Sequence, residues 1–138
     1  VSSKREQVLL AVMAMIQAAK PLAKIQRNGL KPQAQDPAGN IVIRDGTPEL
    51  ESEELSPRTW LWSHAIPLEI AVPPGVSLDD YLVDIGNAVA ADPTLGGAVD
   101  LLEPDAPDDG DLDVEGAAPG RWANVALIAH YPTTNPLT

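Results

Sequence analysis

The stretch TWLWSHAIPLEIAV constrains the fold more than any other part of the chain. From Trp60 to Val72 every second residue is apolar or aromatic: Trp60, Trp62, His64, Ile66, Leu68, Ile70 and Val72 share one face, and Leu61, Ser63, Ala65, Pro67, Glu69 and Ala71 share the other. A period of two over this length is a β-strand pattern, because successive side chains on a strand point to opposite faces. The chain must therefore build a sheet with one well-covered face. Pro67 cannot donate a ladder hydrogen bond, so the strand is expected at a sheet edge, or bulged at Pro67.

The flanking segments supply layers for that sheet. Ser3-Lys4-Arg5-Glu6 fits the S-x-x-E capping box, and Val8, Leu9, Val12, Met15, Ile16 and Ala19 recur at helical spacing before Pro21 stops the helix. Leu22 to Asn28 and the IVIR run at Ile41–Arg44 predict two short strands. The four glutamates and two prolines of TPELESEELSPR, Thr47 to Arg58, predict an exposed loop. Ser77 opens a second helix with a stripe of Leu78, Tyr81, Leu82, Ile85, Ala88 and Val89, closed at Asp92-Pro93. AVDLLE and RWANVALIAHY predict the last two strands, and the tail from Pro132 is expected to fray. The order is α-β-β-β-α-β-β. It predicts an α+β domain over residues 1–138, with a mixed, mostly antiparallel sheet of four to five strands and two helices on one face.

Composition narrows the function. Cysteine is absent from the 138 residues, which excludes disulfides, thiolate metal sites and Cys nucleophiles. The apolar N-terminal run is broken at helical spacing by Gln7, Gln17 and Lys20, as in a soluble amphipathic helix, and no stretch reaches the ~20 apolar residues of a membrane span. The net charge of −11 is unevenly distributed: seven Lys or Arg face two acids through Arg44, and two bases face eighteen acids from Asp45 onward. An acidic total argues against wrapping nucleic acid and leaves room for complementary contact between copies of the chain.

The densest motif is EPDAPDDGDLDVEG, Glu103 to Gly116, with seven carboxylates and no base. Aligned to an EF-hand loop with Gly110 at the bend, it has Pro107 at a ligand position and Gly116 where a bidentate Glu is needed, so it reads as a solvated acidic loop. His64 and His130 lie in strand patterns without a metal-ligand spacing or a nucleophile motif, which favours structural histidines. No glycine motif cradles a nucleotide. Trp60 and Trp62 have too few neighbouring cations for a base-stacking platform and fit a core or subunit contact. No catalytic residue, metal ligand or cofactor is assigned.

SKREQVL (Ser3–Leu9), IVIRDG (Ile41–Gly46), LSPRTWLWSHAIPLEIAV (Leu55–Val72), DPTLGGAVD (Asp92–Asp100) and VEGAAPGRWANVALIAHYPTT (Val114–Thr134) together resemble the tail-terminator proteins of long-tailed bacteriophages and prophages, the minor tail protein U-type or tail-completion family. The resemblance implies a structural virion protein assembled in the bacterial host cytoplasm. It implies a ring, usually a hexamer, on the head-proximal end of the tail tube, which stops tube growth and offers the head an attachment surface. The implied partners are further copies, the major tail tube protein and a head-completion or connector protein, with DNA only as passing cargo and no membrane. On that footing Trp60, Trp62, His64, Arg44, Arg58, Glu51, Glu53 and Glu54 are candidate subunit or tube contacts. Asp105, Asp108, Asp109, Asp111 and Asp113 form a candidate acidic channel or interface loop. The alternatives are another neck or head–tail joining protein, and an enzyme that uses His64 or His130 with a nearby Asp and a metal.

Overall fold

The computed structural model describes residues 2–30, 37–112 and 120–138. Its elements run α1 (Lys4–Ala19), β1 (Lys24–Arg27), β2 (Asn40–Ile43), β3 (Pro48–Leu55), β4 (Arg58–Val72), α2 (Leu78–Ala91), a 3-10 turn (Leu95–Gly97), β5 (Leu101–Pro104), β6 (Asp108–Leu112) and β7 (Gly120–Thr133). This is the α+β class with a mixed sheet, as expected, but the sheet has seven strands instead of four to five. The two additional strands, β3 and β6, fall in the glutamate-rich and aspartate-rich segments that were expected to be loops. Nearly every residue of β3 is exposed, so it has no buried face to create a periodic signal. Its strand conformation comes from the ladder that β4 offers it.

Two long strands form the spine. β4 and β7 pair antiparallel in unbroken register from Trp60↔Thr133 to Val72↔Arg121. Each is flanked by two shorter strands laid end to end. Along β4, β3 covers Arg58–His64 and β2 covers Leu68–Ala71. Along β7, β6 covers Gly120–Asn124 and β5 covers Leu127–His130. β1 joins the outside of β2 in parallel.

This layout corrects the expectation for Pro67, since β4 is neither an edge strand nor bulged there. The Pro67 carbonyl accepts the Arg44 N–H at 2.9 Å, so its nitrogen faces the same flank, where the chain crosses from β2 to β3 and no ladder donor is required. Gly46 makes that crossing possible. Its φ is +65°, and a Cβ there would collide with the Ala65 carbonyl oxygen.

The face of β4 carrying Ile66, Leu68, Ile70 and Val72 joins one core with Leu127 and Ala129 of β7, Val8, Leu9, Val12 and Ile16 of α1, and Leu78, Tyr81, Ile85 and Val89 of α2. Each fully buried Leu or Ile contributes roughly 1.5–3 kcal/mol, so this shared face is the main source of stability. The opposite face has no helix over it among the described residues; Ala65 is exposed, Pro67 and Glu69 are half-buried, and Ala71 is buried.

Both helix starts form as predicted: Ser3 Oγ accepts the Glu6 N–H and Ser77 Oγ accepts the Asp80 N–H, each at 3.2 Å. The capping box is incomplete, however. The Glu6 carboxylate receives both terminal nitrogens of Arg27, at 2.5 and 2.7 Å, while Arg27 Nε donates to Asp45 at 2.8 Å. A bidentate guanidinium partner outcompetes the return bond to the cap. The tail is not frayed either: β7 extends to Thr133, and the Lys4 N–H donates to the Thr138 backbone oxygen at 2.8 Å.

Candidate functional site

Most of the predicted contact residues converge on the β3–β4 hairpin, an arm of two paired strands. Trp60 and Trp62 are half-buried on it. The Arg58 guanidinium lies 4.7 Å from the Trp60 ring centroid and 3.8 Å from Glu53, and Trp62 Nε1 donates to Thr133 Oγ1 at 2.8 Å. Glu51, Glu53 and Glu54 are exposed on β3, as is Leu55 at the tip, 77% accessible. β3 pairs with β4 alone, so its outer backbone edge is open among the described residues.

Two predicted contacts do not belong there. His64 is completely buried and cannot face a partner. Its Nε2 lies 2.6 Å from the Asp45 carbonyl and its Nδ1 lies 2.9 Å from the Tyr131 hydroxyl. A carbonyl only accepts, so Nε2 carries the proton and Nδ1 accepts from Tyr131. Burial holds the imidazole below its ordinary pKa, opposed by the bond to Asp45, and burial pushes the Tyr131 phenol up to about 12. Arg44 is also engaged: it pairs with Glu69 at 2.5 Å and donates to the Gly29 carbonyl, tying the β1–β2 side of the sheet to β4.

The acidic segment is a strand more than a loop. Asp108, Asp109 and Asp111 lie on β6, where Arg121 pairs with Asp109 at 2.8 Å and Asp111 at 3.4 Å. Gly110 rests against the Trp122 ring, with no room for a side chain. Asp105 precedes β6 and turns its carboxylate onto the Ala106 N–H at 2.8 Å. Asp113 lies outside the described residues. Among the described residues no three His, Asp or Glu side chains are grouped to hold a metal ion.

The charge asymmetry of the sequence is only partly an asymmetry of the surface. Lys20 pairs with Asp84, Arg27 with Glu6 and Asp45, and Arg44 with Glu69, so half of the six described cations before Asp45 are neutralised within the fold. Arg27 holds the Glu6 and Asp45 carboxyls below their usual range, chiefly by direct hydrogen bonding. Lys4, Arg5 and Lys24 make no ion pair among the described residues.

Sequence reasoning missed a cluster on the open sheet face. His130 Nδ1 lies 2.9 Å from Glu51 and its Nε2 lies 3.1 Å from Glu103. Ser63 stands directly opposite His130 on β4. His130 Nε2 is hydrogen-bonded to Glu103, and no hydrogen bond joins Ser63 to the ring among the described residues, so the two are not set up as a nucleophile–base pair. The three residues come from β3, β7 and β5, and only the register brings them together.

No protein-family model matches the chain, and no curated protein matches it.

Proposed function

We propose that this chain is a non-enzymatic structural subunit of a phage or prophage tail. It closes with further copies into a ring, usually a hexamer, at the head-proximal end of the tail tube, ends tube growth and offers the head-completion protein its seat. The observation that carries this reading is the β3–β4 arm. In a lone subunit the arm leaves Leu50 48% and Leu55 77% exposed, beside two half-buried tryptophans and an open strand edge. Such an edge gains most when a neighbour covers it.

Charge suggests how neighbours meet. β3 on one flank and β6 on the other are both acidic, so joining copies β3 to β6 into one continuous sheet sets like charges side by side. Packing the arm onto a surface that carries Lys4, Arg5 or Lys24 of the next copy avoids that repulsion. It also gives the unlike, complementary patches of a head-to-tail ring. Acidic strands bordering a conduit would keep passing DNA from adhering. The segments resembling tail terminators support this role, and on this reading the protein works in the virion tail.

Light scattering during size exclusion, combined with electron microscopy of tail-tube subunits polymerised with and without the protein, tests the proposal. Rings on tube ends and shorter, uniform tubes are expected, and Trp60→Glu with Leu55→Glu should abolish capping while leaving the fold intact. A protein that stays monomeric at high concentration and leaves tube length unchanged refutes it. Rings that form without affecting tube length point to a different neck component.

A further inference from the structure

We infer that the cavity beside the start of α1 is the seat for the arm tip of a second copy of the chain, with Leu55 entering it and Glu53 meeting Arg5. The inference rests on the reading that copies associate, and it names the two surfaces that meet.

The cavity encloses about 230 Å³ between the first turn of α1, the start of β3, the spine strands and the C-terminal segment. Pro48, Trp62, Pro136 and Leu137 give it apolar walls, and Arg5 and Thr133 supply its polar lining. Trp62 Nε1 donates to Thr133 Oγ1 at 2.8 Å, so the indole has no donor left for a ligand, while the Thr133 hydroxyl keeps its own proton. Arg5 makes no ion pair among the described residues, and Glu6, its neighbour in sequence, is held by Arg27. The Arg5 charge is felt inside the cavity: burial raises the Tyr131 phenol, which is part of the lining, and Arg5 opposes that rise. An apolar hole with one uncommitted cation fits an apolar side chain that carries a carboxylate beside it. Its volume is below the ~300–1,000 Å³ of small-molecule and cofactor sites and suits a side chain or two.

Charge selects the occupant. Outside the cavity, three leucines among the described residues are more than three-quarters exposed: Leu22 at 86%, Leu30 at 90% and Leu55 at 77%. Leu22 lies between Lys20 and Lys24, and Leu30 precedes Lys31, so Arg5 repels the surroundings of both. Leu55 instead follows Glu53 and Glu54. Glu53 shares the Leu55 face of β3, because side chains two apart on a strand point the same way. Arg58 stands 3.8 Å from Glu53, too far for a hydrogen bond, so that carboxylate remains able to accept one.

The arm cannot fill its own cavity. Pro48 begins β3 and lines the cavity, Leu55 ends the strand, and the ladder to β4 holds it extended between them. At roughly 3.3 Å per residue the two ends stand about 23 Å apart. The occupant therefore comes from another copy. With tip and seat at opposite ends of one strand, each copy can give its tip to one neighbour while receiving the tip of another, the unlike pairing that lets a ring close.

The test uses the full chain, whose lack of cysteine lets single thiols report one contact at a time. Glu54→Cys marks the tip and Thr47→Cys marks the seat, leaving Leu55, Glu53 and Arg5 in place. Mixed at the highest soluble concentration with a short thiol cross-linker, these two variants should join several-fold more than Glu54→Cys joins Leu22→Cys, an exposed site elsewhere. Arg5→Glu in the seat copy should cut the yield at least about tenfold, the cost of setting like charges together, and Glu53→Arg in the tip copy should restore it. Arg5 is exposed, so the urea midpoint of Arg5→Glu should stay near that of the wild type. A yield no higher than the Leu22→Cys control, or one indifferent to Arg5→Glu, overturns the seat. Cross-links without capped tubes uphold the seat and refute the tail ring, whereas capped tubes without the cross-link refute the seat alone.

Discussion

Replacing His64 with Leu gives the sharpest test of how this core is held. The imidazole is fully buried and satisfies the Tyr131 hydroxyl and the Asp45 carbonyl, at 2.9 and 2.6 Å. Leucine fills a similar volume but leaves both groups without a partner. An orphaned buried polar group costs about 1–3 kcal/mol, with the carbonyl near the lower end because Asp45 is only half-buried. The expected loss is about 2–4 kcal/mol, or a fall of roughly 1–2 M in the urea midpoint at the slope usual for a domain of this size. Adding Tyr131→Phe should restore part of the loss, since the stranded hydroxyl is then gone.

The same residue sets a pH signature. Burial keeps the folded-state pKa of His64 below its ordinary 6.5, so the unfolded chain binds the extra proton first. Stability from this group is complete above that value and declines as pH falls toward the folded pKa. Glu6 and Asp45, lowered from 4.5 and 3.8, lose their stabilisation only at lower pH. Urea unfolding at intervals from pH 7 to 5 should show the wild type weakening relative to His64→Leu. A variant loss under about 1 kcal/mol, or parallel curves for the two proteins over that range, would refute this account.

Two further substitutions probe the frame. Gly46→Ala should cost more than Gly75→Ala by at least about 1 kcal/mol in urea unfolding: both have positive φ, but only at Gly46 does a Cβ meet the Ala65 carbonyl, while Gly75 has open space. Leu68→Ala empties a fully buried site and should lower stability by about 2–5 kcal/mol by the same measurement.

Local signals were legible in the sequence and relational ones were not. Ser3 and Ser77 mark their helices because a cap is a contact within one turn, and the alternation through β4 is visible because its two faces meet different environments. β3 and β6 escaped notice because each takes its strand form from a neighbour's edge. Pro67 was misread for the same reason, since the gap that accommodates it depends on where β2 ends and β3 begins. His64 shares a face with Ile66 in the sequence, but only the packing of Tyr131 and the Asp45 carbonyl shows that it is sealed inside. The tryptophans and glutamates named together in the sequence share the β3–β4 hairpin, whereas the grouping of Glu51, His130 and Glu103 needed the order and register of four strands.

The paired end-to-end flanks of the spine also have a mechanical consequence. Between the β3 end and the β2 end of the sheet, only the β4–β7 ribbon is continuous among the described residues, since β2 gives way to β3 on one side and β6 to β5 on the other. A pull applied at the hairpin tip would therefore peel β3 from its neighbour rung by rung before any load reached the Ile66–Val72 layer. The domain would yield at its extremity and keep its centre intact.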